Sequence, residues 1–369
     1  MPYSYSPRMS TPTDAIVLPT EVRLAHVASG ARIAWAKSGR GPALVRVAHW
    51  MAHVEHDTTS PIWRPWLTGL GRRLQVIRYD ERGCGLSGSD AVPLGLDAAL
   101  EELEAVVDAS ALPRVALLGQ SGAAAPAIAY AAKHPDRVSH LLLLGGYLSG
   151  LMHTNPAADV AAFHDAKVRL VELGWGRNDP AVRQFFTTTM IPDATPAQVA
   201  ALNEQQRLSC DGVRAAQIMQ ARARLDVREL APLVRCPTLV LHAAGDLVVP
   251  IERGREVAAA IPGARFETLA TRNHIPLPGD SGFDRFIEVV ADFVAGETGQ
   301  LTLTPRERDL AHAVADGLDN LQLAARLGIA EKTARNALSA LYTKLNVEGR
   351  PQAIVLLRAD GFGGRNPLS

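Results

Sequence analysis

The chain has 369 residues, 38 basic and 38 acidic side chains, and 47% hydrophobic residues, a length that suits two domains and a composition that excludes a disordered chain. Zero net charge gives no whole-chain sign of a nucleic-acid or membrane partner. The cysteines, Cys84, Cys210 and Cys236, are odd in number and form no CxxC pair, which argues against a zinc module or a disulfide framework and for a reducing compartment.

Residues 1–19 are polar and rich in Pro and Ser, and read as a flexible arm. They lack the apolar core of a signal peptide, and no run of 18 apolar residues follows anywhere. The expectation is a cytoplasmic protein without a membrane partner.

Residues 20–296 alternate short apolar runs with helix-length stretches. Strands are predicted at Val22–Val27, Arg32–Ala36, Ala43–Ala48, Leu74–Tyr79, Arg114–Gly119, Ser139–Leu144, Pro237–His242 and Arg265–Leu269. Several are continuously apolar, the pattern of strands covered on both faces. Helices are predicted at Leu96–Ala109, Gly122–Lys133, Glu252–Ile261 and Phe283–Ala295. This alternation implies an α/β fold with a mainly parallel sheet. The first two strands, joined at Ser29-Gly30, read as an antiparallel hairpin at one edge. From about 146 to 232 no convincing strand occurs, and the segment reads as a helical cap over the sheet.

Composition shifts after Ala295. Residues 297–302 read as a linker, and 303–369 as a small all-α domain with helices at Pro305–Asp316, Asn320–Leu327, Glu331–Leu345 and Pro351–Ala359. Thr304-Pro305-Arg306-Glu307 is a capping-box start. The middle pair, joined by Gly328-Ile329-Ala330, has the form of a helix-turn-helix.

Ser121 lies in LLGQSGAAAP, between a buried strand and an Ala-rich helix, with Gly119 two before it and Gly122 after it. A nucleophile on a sharp strand-to-helix turn needs such small neighbours. Ala123 stands where the strict pattern has Gly, and Pro126 is unusual so near a helix start. Asp246 follows another buried strand, and His274 lies in the loop after the last one. The order Ser, Asp, His at strand ends suits a triad in which His takes the serine proton and Asp holds the imidazole.

On these residues the segment resembles the α/β-hydrolase superfamily. RYDERGCGLSG, with Asp80, Arg82, Gly83, Gly85 and Ser87, looks like that family's strand-and-turn signature, where these residues are structural. The stretches HWMAHVEHD and SPIWRPWL are similar to bacterial members fused to a regulatory module. The resemblance implies an oxyanion hole of two backbone amides, one from Gly122 and the other from Trp50 or Met51 in the loop after the third strand. His49, His53 and His56 crowd with Glu55 and Asp57, yet the run fits that loop, and neither a metal nor a cofactor is expected. Cys84 has no base placed for it, and His242 reads as a structural residue near a strand end.

The tail, from LTPRERDL to YTKLNV, resembles the LuxR-type DNA-binding domain along nearly its whole length. The resemblance implies a third helix entering the major groove of double-stranded DNA. Lys332, Thr333, Arg335, Asn336 and Ser339 would lie on its DNA side, and Lys344 would contact phosphate. Such modules bind as dimers, so a homodimer is expected. Ala330 replaces a usual Ser cap, at a cost of about 1 kcal/mol, and Leu321-Gln322 replaces a usual Lys-Glu pair.

These features lead to a bacterial transcriptional regulator whose hydrolase domain binds, and hydrolyses, a small ester- or lactone-like ligand. The alternatives are a cytoplasmic serine esterase with a vestigial or dimerising tail, and a non-catalytic sensor on a hydrolase scaffold.

Overall fold

The eight strand segments read from the sequence, separated by turns and helices, give eight strands, and their order decides where a ligand can sit. The computed structural model describes residues 21–49, 51–89, 93–154, 156–175, 177, 180–296, 303–345, 347, 349–359 and 362–363. The proposed arm at 1–19, the linker at 297–302 and Trp50 lie outside the described residues. The chain divides into two compact units, 1–294 and 295–369.

The first unit is an α/β fold built on one sheet. Its strands are β1 (Arg23–His26), β2 (Arg32–Ser38), β3 (Ala43–Arg46), β4 (Gln75–Tyr79), β5 (Val115–Gln120), β6 (Val138–Leu144), β7 (Thr238–Ala243) and β8 (Arg265–Leu269). They lie in the order β1-β2-β4-β3-β5-β6-β7-β8. The pairings β1–β2 and β2–β4 are antiparallel, and all others are parallel. Every residue of β5 and β7 is buried, as strands covered on both faces must be. Each buried Leu or Val there contributes about 1.5–3 kcal/mol of hydrophobic stabilisation.

Helices α1 (Trp63–Gly71), α2 (Leu96–Ala109), α3 (Ala124–Lys133), α8 (Ile251–Ala260) and α9 (Ser281–Ala295) belong to the sheet layers. The sequence reading left α1 without an assignment, because Pro65, Gly69 and Gly71 weaken its helical pattern. Pro65 falls in the first turn, where its missing N–H takes nothing from the helix. Trp63 and Trp66 bury its inner face, and Trp66 Nε1 donates to the Pro276 carbonyl at 2.9 Å.

Between β6 and β7 lies the helical cap, with α4 (Ala158–Gly174), α5 (Pro180–Met190), α6 (Pro196–Ser209) and α7 (Gly212–Ala223). A Thr195–Gln198 capping box starts α6, and Asp211 caps α7.

The RYDERGCGLSG turn after β4 is held by its own side chains. Asp80 accepts backbone N–H groups from Val54 at 2.8 Å and Leu86 at 2.9 Å. Gly85 has φ +52°, and a Cβ there would lie 2.2 Å from Asp80 Oδ2. Arg82 is fully buried between Glu101 and Glu102, at 2.6 and 3.0 Å.

The second unit has α10 (Pro305–Ala315), α11 (Asn320–Leu327), α12 (Glu331–Leu345) and α13 (Arg350–Ala359) around a core of Leu310, Val314, Leu323, Leu338, Leu341 and Leu357. Gly328, at φ +64°, ends α11 in the left-handed conformation. No described helix is long and apolar enough to cross a membrane.

Candidate active site

Ser121 stands on the turn between β5 and α3 with φ +54°, a left-handed conformation that costs a non-glycine residue roughly 1–2 kcal/mol. A 3-10 turn, Ser121–Ala123, precedes α3, so the helix begins later than Gly122, where the sequence pattern placed it. That shift explains Pro126, which falls in the first turn of α3, where no intrahelical hydrogen bond is lost. The small neighbours are required by contact. A Cβ on Gly119 would lie 2.7 Å from the Ala123 carbonyl oxygen, and one on Gly122 would lie 2.5 Å from Arg222 Cδ. Ala123 itself is fully buried, so a methyl group fits where the strict pattern has none.

Asp246 follows β7, and His274 lies in the loop between β8 and α9. His274 Nδ1 and Asp246 Oδ2 are 2.6 Å apart, with both side chains buried. The other carboxylate oxygen accepts the backbone N–H groups of Val248 at 2.8 Å and Val249 at 2.9 Å. Burial works against the Asp246 charge, but the bond from His274 and these amides outweigh it and hold the carboxyl below its usual range. Gly145, at φ +57° after β6, makes room for the pair, since a Cβ there would come 3.0 Å from His274 Cε1. The backbone N–H of His274 donates to the carbonyl of Met190, the last residue of α5, at 2.9 Å. His242 is buried behind the pair, with Nε2 at 2.9 Å from the Val249 carbonyl and 3.6 Å from Asp246 Oδ2.

Ser121, Gly122, Met51 and His274 line one cavity of about 630 Å³ beneath the cap, with Asp246 behind His274. Trp50 lies outside the described residues. Met51 is buried, and its carbonyl accepts a hydrogen bond from Gln205 of α6. In the histidine run before α1, His53 and His56 are neighbours, with the His56 backbone N–H donating to His53 Nδ1 at 3.3 Å, while His49 faces the core. His49 contacts Arg46 Nη2 at 2.7 Å through Nε2, and burial followed by the Arg46 charge pushes its pKa well down. Arg46 pairs with Asp57 at 3.3 Å, and Asp57 also accepts from Gln205 at 3.1 Å. Among the described residues no group of three His, Cys, Asp or Glu could hold a metal ion. Cys84 and Cys210 are free thiols, and the hydrogen bond from Cys84 to Cys210 together with burial pushes the Cys84 pKa well up and disfavours the thiolate a nucleophile needs.

Sequence reasoning missed Arg222 and Tyr147 in the cavity wall, and the Arg46–Asp57–Gln205 network behind it. No periodicity marks them, because each acts across elements distant in sequence.

In the second unit Lys332, Thr333, Arg335, Asn336 and Ser339 are all exposed on α12. Arg335 Nη2 lies 3.6 Å from Glu331, a surface pair of little strength. Lys344 is more committed, with Nζ at 2.7 Å from the Glu307 carboxylate, so a phosphate contact there must displace Glu307. Gln322, which departs from the family pattern, completes a capping box with Asp319 at the start of α11.

Residues 56–280 match the family model described as alpha/beta hydrolase fold, and residues 301–357 match that of bacterial regulatory proteins of the luxR family. RutD from Caulobacter sp. (strain K31), which carries the name of a carbamate hydrolase, is 24% identical over 251 residues, spanning 65% of this chain and 87% of that protein. Pyrrolizixenacetamide deacetylase from Xenorhabdus hominickii is 25% identical over 280 residues, spanning 72% of this chain and 96% of its own length. Among solved structures, the enol-lactonase from Burkholderia xenovorans LB400 superposes with a TM-score of 0.61 at 22% identity, covering 74% of this chain and 100% of that one.

Proposed function

Because this chain belongs to the alpha/beta hydrolase fold family and carries a luxR-family DNA-binding module at residues 301–357, we propose that it is a bacterial transcriptional regulator that binds and hydrolyses a small ester- or lactone-like ligand. The hydrolase-named relatives and the enol-lactonase fold support that reading. Its chief support is the His274–Asp246 pair at 2.6 Å, set beside a cavity that also holds a serine in a left-handed turn.

In this mechanism Ser121 Oγ attacks the carbonyl carbon while its proton passes to His274 Nε2. Asp246 keeps the other ring nitrogen protonated and stabilises the imidazolium. The oxyanion takes hydrogen bonds from the backbone N–H of Gly122 and of Met51 or Trp50. His274 then protonates the leaving alcohol, and water, deprotonated by the same histidine, releases the acid from the acyl-serine.

Hydrolysis of a short p-nitrophenyl ester tests the claim. Ser121→Ala is expected to lower kcat by about a thousandfold or more. A variant as active as wild type, or a Ser121 left unmodified by a fluorophosphonate, refutes it. On the regulatory side, occupancy or acylation of the cavity biases a homodimer's grip on DNA. The module reads base edges through α12, and Arg335→Ala is expected to abolish the gel shift of an operator fragment.

A further inference from the structure

The cavity has a one-sided charge. Its charged lining residues are Lys167, Arg222 and Arg253, and no Asp or Glu lines it among the described residues. Much of the remaining wall is apolar, including Trp63, Phe186, Met190 and Ile218. A cation facing a low-dielectric wall is poorly screened, so an anion gains more there than at the surface.

The three cations differ in what they are free to do. Arg253 donates to the Ser149 carbonyl at 2.6 Å and pairs with Glu256 at 3.1 Å, which commits its guanidinium to the wall. Lys167 lies over the Phe163 ring at 4.3 Å and is only half-buried. Arg222 is 18% exposed and lies against the nucleophile turn. Its Nη1 is 3.1 Å from the point where a Cβ on Gly122 would stand, and the Tyr147 hydroxyl is 3.0 Å from the same point. Behind it, Glu81 accepts from Nη2 at 2.8 Å. That is the one hydrogen bond the Arg222 side chain makes among the described residues, so Glu81 orients the guanidinium while Nε and Nη1 keep their donors.

We propose that the ligand carries a carboxylate, and that Arg222 and the Tyr147 hydroxyl hold it beside the Ser121 turn. The inference rests on the reading of this cavity as the ligand site, and it narrows the substrate to a small ester or lactone bearing a negative charge close to the scissile carbonyl. A cap-to-core clamp alone would not account for the geometry. The Glu81 carboxylate has one buried oxygen without a hydrogen-bond partner, and burial pushes its carboxyl above the ordinary range in spite of Arg222. An optimised clamp pairs both oxygens with both nitrogens of the fork. Here one edge of the fork is left to the cavity.

Monomethyl glutarate and dimethyl glutarate differ by one charge. Titrated into Ser121→Ala, which turns neither over, the monoanion is expected to bind about tenfold tighter or better than the diester. Glu81→Gln/Arg222→Gln in the same background replaces the ion pair with an amide pair, leaves no orphaned charge, and is expected to reduce the preference to about twofold or less. Equal binding of the two esters to Ser121→Ala overturns the proposal, as does a preference that survives the amide pair in protein with an unchanged melting profile. If wild type hydrolyses neither ester while Ser121→Ala still prefers the monoanion, the hydrolase reading fails and the carboxylate site stands.

Discussion

The strained serine and the buried carboxylate make opposite contributions to stability, and both are measurable. At φ +54°, Ser121 carries a cost that glycine does not. Ser121→Gly is therefore expected to be more stable than Ser121→Ala by about 1 kcal/mol in urea denaturation, with both variants inactive. Equal stabilities would mean the turn is not strained. Asp246 works through pH. Its pKa in the folded protein is depressed by His274 and two amides, so its stabilisation is present above the unfolded carboxylate value and is lost as pH falls through the depressed value. Removing the imidazole in His274→Ala leaves burial to dominate and lifts that pKa. The stability gap between wild type and His274→Ala should be wide near about pH 5 and should narrow as pH drops below about 4. A gap that is constant across that range would refute the account.

At the scale of elements, buried polar groups tie the cap to the sheet domain. Gln205 on α6 bonds both the Met51 carbonyl and Asp57, and Asp57 neutralises Arg46. Asp57→Ala leaves a buried guanidinium without its counter-charge, a loss of about 3–5 kcal/mol, whereas Gln205→Ala removes only hydrogen bonds and should cost about 1–3 kcal/mol. A thermal melt comparing the two should rank them in that order. In the small unit, Asp319→Ala breaks the α11 capping box and should cost about 1 kcal/mol. All eight strands were legible in the sequence because each is a short run bounded by turn residues, and several, such as residues 115–118, are continuously apolar. The serine turn and the two strand-end residues were legible for the same local reason. Helix α1 was obscured by Pro65 and two glycines, and Arg222 by lying in an amphipathic cap helix where its role depends on Gly122, Tyr147 and Glu81. Contacts across a hundred residues leave no periodic trace.

For the whole molecule, the balanced charge conceals an uneven division. Residues 301–369 hold nine basic and seven acidic side chains, a small excess for a module that must approach phosphates. Lys344 already faces Glu307, which leaves fewer unpaired cations to meet phosphates. DNA binding should therefore be weak for a single module and have a shallow salt slope, strengthening steeply with protein concentration as dimers form. A slope as steep as that of a strongly basic binder would contradict this. The two units also differ in their contact networks, so a chain ending at residue 296 should retain ester hydrolysis within about twofold of the full chain. The bond from His274 N–H to the Met190 carbonyl has a further consequence. In the proposed mechanism the residue that ends α5 also holds the backbone of the base, so displacing that end of the cap is expected to loosen the histidine. On that reading the cap is a brace for the base as well as a wall of the cavity.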